Sequence, residues 1–349
     1  MSFPANCLQT PCLVILEKKV QNNLERTIAA SNGPEHLVPH VKTHRANWIV
    51  RLMLDRGIRN FKCATPAEVE LVLSAGSPGA IWAYPSVNRA NIARVIAMAR
   101  RYPDAEVSAL VDSFEGLAAW RETFAGNPAN VRLRVDLDVG MGRTGIPVGA
   151  EARKLALAIQ EAGLFGGWHA YDGHIHGNIK DRRREVQENA SAVSHLMNDI
   201  RAEGVDGDLV AGGSYSFNLW PGDIARYVSP GSWTYSSAQH NVDLRDLGWE
   251  QAAFVLTTVV SKRAGTATLD AGSKAISPDK PIDQRFFWKR RIISMSEEHT
   301  VVEADELEVG DRLLLTPQHA CTTAYLYDRA LVQTEDGRWE TRGQLGNAR

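Results

Sequence analysis

Close to the C-terminus, in the stretch LLLTPQHACTTAYLYD (313–328), a histidine and a cysteine stand one residue apart, His319 and Cys321. An imidazole and a thiolate are donors that a borderline divalent ion accepts readily. The same pair is also what a packed histidine beside an inert thiol looks like, and two donors do not close a metal site. A second reactive group lies near the N-terminus in PHVKTHR (39–45), where Lys42 and Thr43 sit between His40 and His44. A lysine serves carbonyl chemistry when its amine is partly neutral, a state that burial favours. Three further stretches mix glycine with polar side chains. DLDVGMGRTG (136–145) carries Asp138 and Arg143, HAYDGHIHGN (169–178) carries His169, Tyr171, His174 and His176, and AGGSYSFN (211–218) is followed by SPGSWTYSS (229–237).

The elements that must position these residues can be read from the intervening pattern. Short β-branched runs at 36–40, 60–64, 80–84, 107–111, 131–137, 167–174, 208–213 and 225–229 read as strands. Amphipathic stretches lie between them. In 182–203, Val186, Ala190, Val193, Met197 and Ile200 recur at helical steps, with Asp181 as N-cap and Gly204 as stop. Val20, Leu24 and Ile28 do the same in 17–30. Eight strands alternating with helices predict an α/β fold, a (β/α)8 TIM-like barrel over residues 12–240. After about residue 240 the texture becomes strand-like, as in AAFVLTTVVSKR, TATLDAG, HTVVEA and DRLLLT. Residues 241–349, with 1–11, are therefore assigned to a second, β-rich domain that carries His319 and Cys321.

With 44% apolar residues, a chain of 349 can bury a large core and a smaller one. A formal charge of −2 argues against nucleic acid or an anionic membrane surface as partner. The run Arg182-Arg183-Arg184 reads as a solvated helix start. No apolar run approaches the ~20 residues that span a bilayer. Cys7, Cys12, Cys63 and Cys321 are irregularly spaced, and the N-terminus has no secretory pattern, so a cytoplasmic, reducing location is expected.

In a parallel barrel, chemistry gathers beyond the C-terminal ends of the strands, and phosphate sits after strands seven and eight. Glycine lets N–H groups approach an anion, and hydroxyls add donors. Gly212, Gly213, Ser214 and Ser216 follow the seventh strand; Gly231, Ser232 and Tyr235 follow the eighth. Lys42 directly follows the first. A lysine, a phosphate cradle and a tyrosine suggest pyridoxal 5'-phosphate held covalently, against the plainer reading of a surface lysine in a βα loop.

Taken together and in order, TPCLVI, PHVKTHR, GHIHGN, LDAGSKAIS, SEEH and VGDRLLLTPQHAC resemble the D-threonine aldolase and D-serine dehydratase family. These are fold-type III pyridoxal-phosphate enzymes with an alanine-racemase-like fold. The resemblance implies that Lys42 carries the cofactor and that Tyr171 approaches its pyridine nitrogen. It implies that Arg143 holds the phenolic side and that Gly212, Gly213, Ser214, Ser216, Gly231 and Ser232, with Tyr235 nearby, cradle the phosphate. It also implies that His319 and Cys321 bind a divalent metal (Zn, Mn or Mg), and that the protein is a homodimer. GGSYSF departs from the family's commoner phosphate turn. The substrate class implied is a D-3-hydroxy amino acid.

Two reactions share this beginning. In the aldolase, a base (His176 first, His174 second) takes the hydroxyl proton, and glycine and an aldehyde form. In a D-serine or D-threo-3-hydroxyaspartate dehydratase, Lys42 removes the Cα proton and water leaves. The metal-assisted aldolase is the leading expectation. A non-catalytic pyridoxal-phosphate protein would be a bare barrel, and an amino-acid racemase needs a second acid–base residue that does not stand out.

Overall fold

The computed structural model describes residues 9–124 and 130–349, so Cys7 and positions 1–8 of the segment 1–11 lie outside the described residues. The chain forms two compact units. One comprises Ile28–Lys42 and Asn47–Gly231; the other comprises the residues up to Thr27, Thr43–Ala46 and Ser232–Ala348.

The first unit is a parallel barrel. Its strands run in sequence order: Asn60–Cys63, Gly79–Trp82, Glu106–Val111, Val131–Asp138, Phe165–Ala170, Leu209–Ala211 and Tyr227–Val228, every neighbouring pair parallel. The segment expected as the first strand closes the ring. Leu37 bridges Val228 and His40 bridges Lys62, both in parallel. The Val38 N–H donates to the Val228 carbonyl at 2.9 Å, and the Lys62 N–H to the Pro39 carbonyl at 3.0 Å. Pro39 has no N–H, so this segment makes isolated bridges in place of a continuous ladder. Strands covered on both faces must be apolar throughout; Val38, Ile81, Leu110 and Val210 form one buried layer.

Local signals fix the helices between strands. Thr65 caps Pro66–Ser74 by accepting from the Glu68 N–H, while Glu68 accepts from the Ala64 N–H at 2.6 Å and Pro66 sets the first turn. The long helix is Ile179–Arg201, three residues earlier than expected. Asn178, not Asp181, is its N-cap and accepts from the Lys180 and Asp181 N–H groups at 3.0 Å each. Arg182 is also not solvated. It is buried and donates to the Tyr215 carbonyl at 2.7 Å. Among the described residues no helix is long and apolar enough to cross a membrane.

The second unit is a mixed sheet in the order Ile292–Met295, Thr300–Glu303, Thr266–Leu269, Ala253–Arg263, Cys12–Leu16, Arg329–Gln333 and Trp339–Gly343, with Arg312–Leu315 also paired to Ala253–Arg263. Cys12–Leu16, assigned with the barrel segment 12–240 on sequence, pairs here instead, antiparallel to Ala253–Arg263 and parallel to Arg329–Gln333. Its apolar run CLVIL suits a fully covered strand of either sheet, so pattern alone did not distinguish them. The helix Glu17–Ala30 follows it, and the buried Asn23 side chain donates to the Trp233 and Glu250 carbonyls and accepts from the Glu250 N–H.

Leu110 is buried in the barrel's apolar layer. Leu110→Ala is expected to cost about 2–5 kcal/mol, read as a lower urea midpoint with an unchanged slope.

Candidate active site

Tyr171 follows the strand Phe165–Ala170 directly. Three cations surround its ring: Lys42 Nζ lies 5.8 Å from the centroid, Lys62 Nζ 5.0 Å and the Arg143 guanidinium carbon 5.1 Å. These four side chains, with His40, Asp136 and His169, line a pocket within the barrel unit. Lys42 and Arg143 are exposed, whereas Lys62, His40 and His169 are buried.

Each of these positions has a local cause. Lys42 sits in a single 3₁₀ turn, Val41–Thr43, and its N–H donates to His40 Nδ1 at 3.3 Å. Arg143 rides on the glycine loop beyond Val131–Asp138. Asp138 Oδ1 accepts from the Gly140 and Gly142 N–H groups at 3.0 Å each, so Asp138 shapes the loop. Gly145, at φ +103°, lies where a Cβ would be 2.6 Å from the Asp138 nitrogen, so no other residue fits this return. Tyr171 is held between two glycines. A Cβ on Gly173 would lie 2.4 Å from its phenol end, and one on Gly213 would lie 2.9 Å from its Cε2.

The polar interior is ordered by Asp136, which accepts from His169 Nδ1 at 2.6 Å and from Thr144 Oγ1 at 3.2 Å. Burial, then the charge of Lys62, pushes the His169 imidazolium down to about 4, so the ring is neutral at pH 7. Its Nε2 is buried with no hydrogen-bond partner among the described residues. His40 is likewise held well below the usual histidine range by burial and by Lys42. Lys62 was not among the sequence candidates. Its position inside a strand, not at a strand end, hid it; a lysine in the otherwise apolar run NFKCA was the available signal.

The expected phosphate cradle is only partly available. Gly212, at φ +77°, leaves Leu209–Ala211. Ser216 is buried, accepts from the Gly213 N–H at 2.9 Å and donates to Asp172 at 2.6 Å, so both groups are engaged inside the protein. Ser214 Oγ accepts from the Gly231 N–H at 3.4 Å, which brings the turns after strands seven and eight together. His176 and His174 are exposed; His176 meets the Tyr215 ring edge-on, with centroids 4.3 Å apart.

Ser232, Tyr235, His319 and Cys321 belong to the other unit. Ser232 begins a 3₁₀ turn, and Tyr235 is fully buried with its hydroxyl unpartnered among the described residues. His319 bonds through Nδ1 to Asp279, a residue that the sequence reading missed, and to Cys321. Cys321, then Asp279, raises the His319 imidazolium to about 9 despite its partial burial. Cys321 Sγ also lies 3.5 Å from Thr43 Oγ1. Among the described residues no group of three or more His, Cys, Asp or Glu side chains is arranged to hold a metal ion.

The grip on Tyr171 can be measured. Gly173→Ala is expected to lose about 1–3 kcal/mol, and adding Tyr171→Ala to recover most of it, read by thermal unfolding as a coupling between the two positions.

Two family descriptions match the chain. "Alanine racemase, N-terminal domain" covers residues 15–239, and "Putative serine dehydratase domain" covers 252–333. The chain is 28% identical to a 3-hydroxy-D-aspartate aldolase of Paracoccus denitrificans (strain Pd 1222), over 96% of this chain and 90% of that protein. It is 29% identical to a D-threonine aldolase of an Arthrobacter species, over 96% and 91%. The crystal structure of D-threonine aldolase from Filomicrobium marinum superposes with a TM-score of 0.84 at 22% identity, covering 96% of this chain and 95% of that one. Barrel, β-rich sheet and matched families agree, and the chain belongs to the D-threonine aldolase/D-serine dehydratase-like family of the alanine-racemase fold.

Proposed function

We propose that the protein is a metal-assisted, pyridoxal-phosphate-dependent aldolase that cleaves D-3-hydroxy amino acids to glycine and an aldehyde. The observation that carries this reading is the convergence of Lys42, Lys62 and Arg143 on the Tyr171 ring in a cavity within the barrel. Clustered cations suit an anionic ligand, and the glycine turns at Gly212 and Gly231 suit its phosphate. The donors present therefore fit pyridoxal 5'-phosphate. When bound, that cofactor supplies an electron sink for the pair left on Cα as the Cα–Cβ bond breaks.

The chain's own residues divide the remaining work. Lys42 offers the amine that holds the cofactor. Tyr171, fixed between Gly173 and Gly213, would offer its phenol to the cofactor, and Arg143 would supply a planar fork of donors for an anionic oxygen. Ser214 and Gly231 would face the phosphate, while Gly212, whose N–H donates to the Ala170 carbonyl at 3.0 Å, Gly213 and Ser216 brace the turn from within. Ser232 and Tyr235 complete the same loop sequence. His176, steadied by the edge of Tyr215, takes the substrate's β-hydroxyl proton. His319 and Cys321 would hold a borderline divalent ion such as zinc, with Asp279 fixing the imidazole orientation. Such an ion, when bound, polarises the β-hydroxyl. We assign a homodimer as the working form; exposed Tyr84, Val87 and Phe114, just beyond two barrel strands, offer apolar surface for a second copy.

A dehydratase is the second reading. It is favoured by the match of residues 252–333, which include Cys321, to the putative serine dehydratase domain. Here Lys42 takes the Cα proton and the hydroxyl departs.

Product analysis separates the two. Loaded protein with D-threonine is expected to release glycine and acetaldehyde; ammonia and a 2-keto acid would establish the dehydratase. Lys42→Ala is expected to lose the visible absorbance of the bound cofactor, and retention of the band would remove Lys42 from its role. Chelation is expected to stop turnover while the band persists; undiminished turnover would exclude the metal.

A further inference from the structure

Among the described residues Lys62 is the one buried amine in the barrel cavity, and the mechanism above gives it no covalent or proton-transfer role. It projects from Asn60–Cys63, and its Nζ donates to Ser229 Oγ at 3.1 Å. Ser229 Oγ in turn donates to the Gly212 carbonyl at 2.9 Å. The amine thus reaches past the first strand to the turn where the seventh and eighth strands end. The carboxylates that face it, Asp136 and Asp172, offset the cost of burying its charge only in part. Asp136 is engaged by His169 and Thr144, and Asp172 by Ser216 and Trp220. Among the described residues no carboxylate lies within ion-pair distance of Lys62, and Lys42 and Arg143 add like charge. A buried ammonium without an ion-pair partner is costly and tends to lose its proton. Burial first, then Lys42, brings Lys62 down to about 7.

We propose that Lys62 is a phosphate-binding residue of the cofactor site, anchored on Ser229 beside Gly212 and charged when the phosphate ester is bound. This rests on the assignment of the barrel cavity to pyridoxal phosphate, and it adds a side-chain cation to a cradle otherwise made of backbone N–H groups and hydroxyls. The anion supplies the direct ion pair that Lys62 lacks among the described residues, so binding and protonation of Lys62 are linked. The sign follows: below about pH 7 Lys62 already carries its proton, and above it binding must take one up, so affinity falls as pH rises. The other groups facing it are Lys42, Arg143, Asp136, Asp172, His40 and His169.

The test measures affinity for pyridoxal 5'-phosphate and for pyridoxal, which lacks the phosphate, by visible absorbance. Wild type, Lys62→Met, Lys62→Arg and Ser229→Ala are compared, with circular dichroism as the folding check. Lys62→Met is expected to bind the phosphate ester roughly tenfold to a hundredfold more weakly, the size of a lost charge-assisted hydrogen bond, with pyridoxal affinity unchanged. Lys62→Arg should recover most of that loss, and Ser229→Ala should lose part of it. The wild-type decline in affinity above about pH 7 should be absent in Lys62→Met. Equal affinity of Lys62→Met and wild type for the phosphate ester, or an equal loss for both ligands, would overturn the inference while leaving the cofactor assignment intact. A wild-type protein that gives no visible band would instead overturn the cofactor assignment itself.

Discussion

Closure of the parallel barrel through Leu37–His40 is the constraint on which the site depends. An open sheet would leave Asn60–Cys63 and Tyr227–Val228 as distant edges. The closing segment bridges both, and its proline-interrupted backbone still satisfies the neighbouring groups through the Val228, Pro39 and Pro230 carbonyls. Closure brings strand two and strand eight close enough for Lys62 to reach Ser229. It also leaves Lys42, two residues past the ring, beside the same cavity. The geometry of the reactive groups is therefore a property of the ring, and no single loop sets it.

Within that ring, charge is managed by commitment. Asp138 is spent on shaping the Arg143 loop, Asp136 on orienting His169, and Asp172 on Ser216 and Trp220. Lys42, Arg143 and Lys62, the last held down to about 7 by burial, are left facing one aromatic ring, with Asp136 and Asp172 offsetting them only in part. Inside a protein, where screening is weak, such an excess of one sign is a standing attraction for a ligand of the other.

Much of this was legible in the sequence because strands and their ends leave strong marks. The eight runs fell on the barrel strands, and the glycine-rich tails gave Arg143, Tyr171 and the turn at Gly212. What escaped notice did so for identifiable reasons. Cys12–Leu16 is apolar enough for either sheet, and the partner that decides between them lies some 240 residues away. The cap of Ile179–Arg201 was read as Asp181 because it directly precedes the apolar period, whereas hydrogen-bond geometry assigns it to Asn178. Ser216 looked like a phosphate ligand because a hydroxyl in a glycine turn has no mark showing that it points inward. Lys62 and Asp279 depend on contacts across the fold, to Ser229 and His319, that no local pattern carries.

The Lys62–Ser229 bond spans the closing segment like a strut behind a door. Leu37–His40 is otherwise fastened by the buried Leu37 and Val38 side chains and a few backbone bonds, so its opening reports on the barrel seam. A ligand that draws positive charge onto Lys62 would strengthen that strut and slow the exchange of the Val38 and His40 amide hydrogens. Occupancy of the cavity would then register in the seam of the barrel, and the protein's resistance to opening there would depend on how full the site is.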